Sequence, residues 1–135
     1  RKFKIINKMG KNQSVTPIPC SLEEFFHYWL VFTKPFHKLG TREIEILSMF
    51  LLKRFELSKI IKEDSLVDKY LFSSDVREEI RSKTEFNKNH FHLILTNLRK
   101  SGILSSDNII NKRFIPDISE DITSFNLLYQ FTIEK

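Results

Sequence analysis

Apolar and polar positions follow two different periods along this chain, and the change between them falls at Gly102. Between residues 21 and 101, apolar side chains recur every three or four positions, which is typical of helices. From residue 103 onward they tend to occupy every second position, which is typical of strands. The pattern therefore predicts an α+β chain that is mainly helical, with its strands in the last third.

The first predicted helix begins at Ser21 and runs to about Thr33. Ser21 and Glu24 have the spacing of a capping box, in which each side chain accepts a hydrogen bond from the backbone of the other residue. Pro35 prevents the helix from continuing. We therefore expect an N-terminal helical unit over residues 21–40.

Two further helices and one ambiguous stretch come next. Ile44, Leu47 and Leu51 recur at helical spacing and predict a helix over residues 42–55. Ser73 and Ser74 precede an acidic turn, which predicts a helix from there to about residue 83. Residues 56–72 indicate short helical pieces without clear bounds.

The last predicted helix covers residues 88–101. Asn87 is placed to cap its first turn, and Gly102 is placed to end it in a left-handed conformation. The spacing of the apolar residues predicts an inward face made of Phe91, Ile94, Leu95 and Leu98.

Three strands are predicted after Gly102, over residues 103–104, 109–115 and 125–133. The last has the strictest alternation of the whole chain, with apolar side chains at Phe125, Leu127, Tyr129, Phe131 and Ile133. Residues 117–124 are mostly polar, and we expect them to connect the last two strands as a hairpin loop.

The order of these elements resembles the winged helix-turn-helix superfamily. The resemblance covers residues 41–133, and its most specific part is the helix that runs through Leu98, Gly102 and Leu104 into the strands. It implies one domain over residues 21–135, in which a winged-helix core with a C-terminal β-hairpin follows an additional N-terminal helix. In that superfamily the third helix enters the DNA major groove, and the hairpin wing touches the DNA backbone.

Five residues are expected to point outward from the predicted recognition helix, namely Lys88, Asn89, His92, Thr96 and Lys100. No acidic residue occurs between Asn87 and Ser106, and Asn and Lys side chains can bond base edges or phosphates. Lys112 and Arg113, on the strand before the hairpin loop, are further candidates for DNA contacts. The same composition also suits a solvated helix face.

Acidic residues in the predicted wing count against a conventional DNA-binding mode. Asp117, Glu120 and Asp121 lie in the loop that should form the wing tip. Phosphates would repel carboxylates at that place, because binding to nucleic acid depends largely on neutralising phosphate charge. A wing of this charge favours contact with a protein.

The whole net charge of +5 belongs to the first 20 residues, since the remaining chain is neutral. These residues form a predicted basic N-terminal arm, in which Arg1, Lys2 and Lys4 are candidate nucleic-acid contacts. The arm binds phosphates or an acidic protein surface, or else it is a solvated tail.

The helix at residues 21–33 has large apolar side chains on two neighbouring faces, among them Phe25, Phe26 and Trp29. Such a helix is either buried on both sides or docks onto a partner. Burial is the alternative we favour, because small domains need their large side chains in the core. The three aromatic residues stay candidates for a partner-binding patch.

Little in the chain points to catalysis or to a bound cofactor. Cys20 is the one cysteine, so no cysteine metal cluster can form. His90 and His92 are two positions apart, so they point to different sides of a helix and cannot chelate one metal ion. The three glycines are isolated and form no phosphate-binding loop. We therefore expect a protein that is not an enzyme and has no cofactor or metal.

Two functions remain open from the sequence. The first is a DNA-binding protein with a regulatory or replication accessory role, which uses helix 88–101 and the basic arm on double-stranded DNA. The second is an interaction or structural subunit of a larger assembly, such as a phage virion component, that docks through helix 21–33 and the hairpin onto a protein partner or a second copy. Because no apolar run is long enough to cross a bilayer, we expect a cytoplasmic or virion-associated protein without a membrane partner.

Overall fold

A computed structural model describes residues 7–8 and 14–135 of the chain. The helices in this part are α1 Leu22–Phe32, α2 Lys34–His37, α3 Thr41–Ser58, α4 Asp64–Leu71, α5 Ser74–Ser82 and α6 Lys88–Lys100, with a 3-10 helix at Lys112–Phe114. Two short strands, β1 Asn7–Lys8 and β2 Ser14–Val15, pair antiparallel. None of the helices in these residues has the length and apolar character that crossing a bilayer requires.

Helix α3 is the centre of the fold, and α1, α4, α5 and α6 all pack against it. A helix surrounded on several sides must be apolar on more than one face. The buried side chains of α3 meet this requirement, and they are Ile44, Ile46, Leu47, Phe50, Leu51, Phe55 and Leu57.

The predicted start and end of α1 are confirmed. Ser21 Oγ accepts a hydrogen bond from the Glu24 backbone N–H at 3.1 Å, and Glu24 Oε1 accepts one from the Ser21 N–H at 2.9 Å. The bond from the Ser21 N–H, together with the Ser21 hydroxyl, holds the pKa of the Glu24 carboxyl below its ordinary value. The helix ends at Phe32, and Pro35 lies in the first turn of α2, where its missing N–H costs nothing.

Residues 56–72, which the sequence left ambiguous, contain the end of α3, a short connection and the helix α4. Helix α3 continues to Ser58, three residues past the predicted end at Phe55, and α4 follows after a short connection. A buried ion pair joins the two helices, since Arg54 Nε lies 3.0 Å from Asp68 Oδ1 and both side chains have little exposure. The pairing explains why a charged residue is tolerated on the inner face of α4.

Helix α6 begins and ends as predicted. Asn87 Oδ1 accepts a hydrogen bond from the His90 N–H at 2.8 Å, and Gly102 has a φ of +84°. The four apolar residues assigned to the inward face are all buried. The caps set where α6 begins and ends, and the buried apolar residues identify the side that faces the core.

The predicted winged architecture with a C-terminal β-hairpin is wrong. Within residues 103–135 the structure contains only one isolated bridge, between Leu104 and Ile110, and no strand. Residues 112–114, predicted as part of a strand, form the 3-10 helix instead. Residues 125–133 are extended but pair with no strand. The described part of the chain is therefore mainly helical, and its residues 103–135 form no wing.

The reason lies in what the strand-like residues contact. Asn111 Oδ1 accepts from the Arg113 N–H at 3.0 Å and begins the 3-10 helix, which removes the partner strand. Trp29 Nε1 then donates to the Phe114 carbonyl at 2.8 Å and attaches this helix to α1. The alternation after residue 124 reflects packing on a helix, because the Phe125 ring lies 5.3 Å from the Phe25 ring.

His37 joins α1 to the start of α3 through a buried side chain. Its Nε2 lies 2.6 Å from the Leu30 carbonyl oxygen, and its Nδ1 accepts from the Leu39 N–H at 3.0 Å. The ring is therefore a neutral imidazole that donates from Nε2. Burial lowers the pKa of His37 from 6.5, an effect to which the charge of Lys34 adds and which the bond to Leu30 opposes.

We expect His37 to make stability depend on pH. Its folded-state pKa lies below the unfolded value of 6.5, so its contribution is fully present above pH 6.5 and is lost as the pH falls through the folded pKa. Urea unfolding between about pH 7.5 and about pH 5 should show this loss. His37→Gln, which keeps a donor for Leu30, should flatten the profile. Equal pH slopes for the two proteins would contradict the assignment.

Candidate nucleic-acid interface

The exposed side of α6 is opposite the side that enters the core. Successive residues of an α-helix are about 100° apart, so the four buried positions occupy one arc of the helix circumference. Of the five predicted contact residues, Asn89, His92, Thr96 and Lys100 lie on the outward arc, and Lys88 lies at its edge, near Phe91 and Leu95. Lys88, Asn89, His92 and Lys100 are exposed, and Thr96 is half-buried. The structure therefore brings all five together on one surface, which we call the α6 face.

Within the α6 face, two hydrogen bonds hold Thr96. Its Oγ1 donates to the His92 carbonyl at 3.0 Å and accepts from Arg99 Nη2 at 3.3 Å. Arg99 Nη1 donates to Asn108 Oδ1 at 2.7 Å, which ties α6 to the turn after it. Asn108 has a φ of +61°, a conformation that Asn tolerates well. Arg99 thus positions the turn at residues 105–109 beside the α6 face.

Sequence reasoning missed one residue of this face, Leu93, which is 54% exposed. In the sequence Leu93 directly precedes the buried residues Ile94 and Leu95, so it looks like part of the same core-facing run. On the helix it lies one turn after Asn89, within the exposed arc. Apolar contact with a thymine methyl group is one use of such a side chain in the major groove.

A cleft of about 190 Å³ lies between α5 and α6. Phe91 and Leu95 contribute apolar walls to it, and its polar and charged lining residues are Ser74, Arg77, Glu78, Arg81, Lys88 and His92. We call it the α5–α6 cleft. Lys88 and His92 belong both to it and to the α6 face, so the two form one continuous surface.

The charges in the α5–α6 cleft do not cancel. Glu78 forms an ion pair with Arg81, and these hydrogen bonds hold the pKa of Glu78 below its ordinary value. Arg81 Nη1 also donates to the Phe86 carbonyl at 3.2 Å, which fixes the guanidinium in place. Arg77 and Lys88 form no ion pair within residues 14–135, so the cleft keeps a positive excess.

Arg77 is the cleft residue with the least satisfied side chain. Its Nε atom is buried and has no hydrogen-bond partner in the described part of the chain, and Nη2 reaches only Ser74 Oγ at 3.4 Å. Buried polar groups in proteins normally have a partner, and a guanidinium fork suits a phosphate. The signal for Arg77 and Arg81 in the sequence is their spacing of four, which places both on one side of α5.

Two of the other predicted nucleic-acid contacts, Lys112 and Arg113, are not on the α6 face. Both are exposed on the 3-10 helix, and Arg113 lines a different cleft, where its guanidinium lies 5.6 Å from the centre of the Phe114 ring. The structure therefore does not bring these two residues together with the α6 face. Arg1, Lys2 and Lys4, also predicted as contacts, lie outside the described residues.

The aromatic residues proposed for partner binding are largely covered by the chain itself. Phe26 is buried in the core. The rings of Phe25 and Trp29 are half-buried, and Phe125 packs edge-on against them at 5.3 Å and 5.8 Å. A partner could reach this face of α1 only if residues near Phe125 moved away.

The acidic residues that were expected at a wing tip lie elsewhere. Glu120 lies 3.5 Å from Lys62, beyond the carboxyl end of α3. Helix α6 is instead attached to the amino end of α3, where Arg42 Nη1 lies 3.0 Å from His90 Nε2. Helix α3 has 18 residues and is about 27 Å long. The electrostatic objection to DNA binding assumed a hairpin wing beside α6, and that hairpin does not form.

Within the described residues, no group of three or more His, Cys, Asp and Glu side chains is arranged to hold a metal ion. His90 is engaged by Arg42, and His92 lines the α5–α6 cleft. Comparison of the chain with protein families, with curated proteins and with solved structures finds no match.

Proposed function

We propose that this chain binds double-stranded DNA through the α6 face, as a non-enzymatic module with a regulatory or replication accessory role. The observation that carries this proposal is that Lys88, Asn89, His92, Thr96 and Lys100 share the outward side of one helix. No carboxylate lies on that helix. An α-helix fits the major groove, where Asn can bond adenine and Lys can bond guanine or a phosphate.

The α5–α6 cleft supports the same proposal from a second direction. It opens beside α6 and has a positive excess from Arg77 and Lys88. A helix placed in the major groove has a phosphate backbone on each side, so a cationic cleft on its flank lies where a backbone would pass. Backbone contacts there would orient α6, and the α6 face would read the bases.

The basic N-terminal arm adds to this proposal through charge alone. Five basic and no acidic side chains occur in residues 1–20, while the rest of the chain is neutral. Positive charge on a flanking segment raises both the affinity for DNA and the rate of association. We therefore assign most of the salt dependence to the arm, and the orientation on DNA to α5 and α6.

The test is a fluorescence anisotropy titration of a duplex of about 20 base pairs at about 50 mM and about 200 mM salt. We expect the affinity of the unmodified chain to fall steeply between these salt concentrations. Replacing both Lys88 and Lys100 with alanine should weaken binding by roughly tenfold or more and lower the log–log salt slope by about 2, because each phosphate contact contributes about 1 to the slope.

The matched control is the double variant Lys59→Ala with Lys69→Ala, which removes the same charge from exposed positions far from α6 in the chain. It should change affinity much less than the α6 variant. Equal losses in the two variants would mean that only net charge matters, and would contradict a binding surface on α6. Binding that ignores salt would contradict the proposal as a whole.

A further inference from the structure

Residues 123–135 form an extended segment whose backbone is unused. None of its N–H or C=O groups bonds to another backbone group in the described part of the chain. Two aromatic side chains anchor it: Phe125 packs on Phe25 and Trp29, and the Tyr129 ring stacks on Phe36 at 6.3 Å. The Tyr129 hydroxyl also donates to the Phe32 carbonyl. We call residues 123–135 the extended segment.

Beyond Tyr129 the extended segment leaves the surface that anchors it. Phe131 is 86% exposed and Ile133 is 78% exposed. An extended chain rises about 3.3 Å per residue, so these side chains lie roughly 7 Å and 13 Å past Tyr129. Both side chains are left uncovered by the described part of the chain.

The surface next to the extended segment is also apolar and uncovered. More than half of the exposed large apolar side chains in the described residues belong to this one region, namely Val31, Phe32, Phe36, Leu127, Leu128, Tyr129, Phe131 and Ile133. Single exposed apolar residues are ordinary on protein surfaces, but a contiguous group of this kind marks an interaction surface.

Between the 3-10 helix, α1, α2 and the extended segment lies an open cleft of about 300 Å³. Trp29, Phe36 and Phe114 contribute its apolar walls, and Leu127 closes one side. Arg113 is the one charged residue in its lining. We call this the α1 cleft, and its volume exceeds that of a phenylalanine side chain.

We infer that a second copy of this chain covers this surface, with residues 131–134 of each copy entering the α1 cleft of the other. The same chain carries both an apolar projection and an apolar cleft, which is the self-complementarity that a two-fold interface requires. In this arrangement the side chain of Phe131 fills the cleft beside Trp29.

Charge favours a second copy as the occupant. Glu134 follows the apolar projection directly, Arg113 lines the cleft that would receive it, and Lys34 is exposed on α2 close by. Exchange between two copies therefore brings Glu134 of each copy to Arg113 of the other, which makes two such ion pairs in the dimer. The unused backbone of the extended segment can add further bonds across the axis, as in strand addition.

The α1 cleft and the α5–α6 cleft have no lining residue in common. Dimer formation as inferred here therefore leaves the α6 faces of both copies free. This inference does not depend on DNA binding, and its test uses the chain without DNA.

Light scattering after size exclusion, over a concentration series, measures the association. We expect a dimer that dissociates on dilution, and Phe131→Ser should weaken it by roughly 100-fold or more, because the two-fold dimer loses two buried phenylalanine side chains. Ile60→Ser is the matched control, since Ile60 is 79% exposed in the connection between α3 and α4 and is not part of the α1 cleft. It should leave the dimer unchanged. At concentrations where both proteins are monomers, the replacement should leave the melting temperature unchanged, because Phe131 is 86% exposed in a single copy.

A charge-reversal pair tests the geometry. Arg113→Glu and Glu134→Arg should each weaken the dimer, and the two changes together should restore it. A monomer at every concentration, a dimer that is indifferent to Phe131→Ser, or a double reversal that restores nothing would each overturn the inference.

Discussion

Replacing Phe50 with alanine is expected to lower the free energy of unfolding by about 4 kcal/mol. Phe50 is fully buried in the middle of α3, and its ring stacks on the Phe72 ring at 4.3 Å. The Phe91 ring of α6 lies 6.3 Å away on another side. Removing Phe50 therefore opens a cavity where α3, the end of α4 and α6 meet. Small domains have a total stability of about 5–15 kcal/mol, so this change removes a large part of it.

Urea denaturation followed by circular dichroism measures this loss. Ile60→Ala is the control, because it removes a similar apolar group from an exposed position and should cost about 0.5 kcal/mol or less. A loss below about 1 kcal/mol for Phe50→Ala would mean that the helices do not converge on this ring.

Replacing Asp68 with asparagine is expected to cost about 3 kcal/mol, because it leaves the charge of Arg54 buried and unpaired. The Arg54–Asp68 pair connects α3 to α4 with little solvent contact. The pair Lys53–Glu79 offers a comparison on the same helix, since it connects α3 to α5 at 3.0 Å but is much more exposed. Glu79→Gln should therefore cost about 1 kcal/mol or less.

Urea unfolding of Asp68→Asn and Glu79→Gln measures the free energy of unfolding that each variant loses. Equal m-values show that the two losses can be compared. The double change Arg54→Met with Asp68→Leu should recover most of the loss, since a buried ion pair can often be replaced by apolar residues of similar size. Equal costs for Asp68→Asn and Glu79→Gln would show that burial does not distinguish these pairs.

The helices could be predicted because their signals are local. The capping pair Ser21 and Glu24, the cap Asn87 and the left-handed Gly102 all act within one turn of the helix that they limit. Periodicity supplied the buried face of α6 for the same reason. Residues 56–72 had no such local signal. Asp68 lies on the inner face of α4 and interrupts the apolar pattern, and it is tolerated there because it pairs with Arg54, 14 positions away.

The sequence could not show that residues 103–135 form no strands, because strand pairing is a contact between residues that are distant in the sequence. Alternation over residues 125–133 is compatible with any surface that accepts every second side chain. Here the contacts are with helices, since Phe125 packs on Phe25 of α1 and Tyr129 stacks on Phe36 of α2. Nothing near Asn111 in the sequence predicts that its side chain begins a 3-10 helix and so removes the partner strand.

The candidate site was predictable to the extent that it lies on one helix. The outward positions of α6 follow from its inward positions, so the five residues of the α6 face could be named from periodicity. Arg77 and Arg81 could not, because their place in the α5–α6 cleft depends on how α5 packs against the rest of the fold. The prediction that Glu120 lies at a wing tip beside DNA was wrong, because it assumed a hairpin that does not form.

Whether α6 contacts DNA can be seen by titrating the ¹⁵N-labelled chain with a short duplex and following the amide signals. We expect the largest shifts on residues 88–100 and on the part of α5 around Arg77, with little change along α1 and the extended segment. Shifts that avoid α6 and are confined to residues 1–20 or to the extended segment would contradict DNA contact through α6.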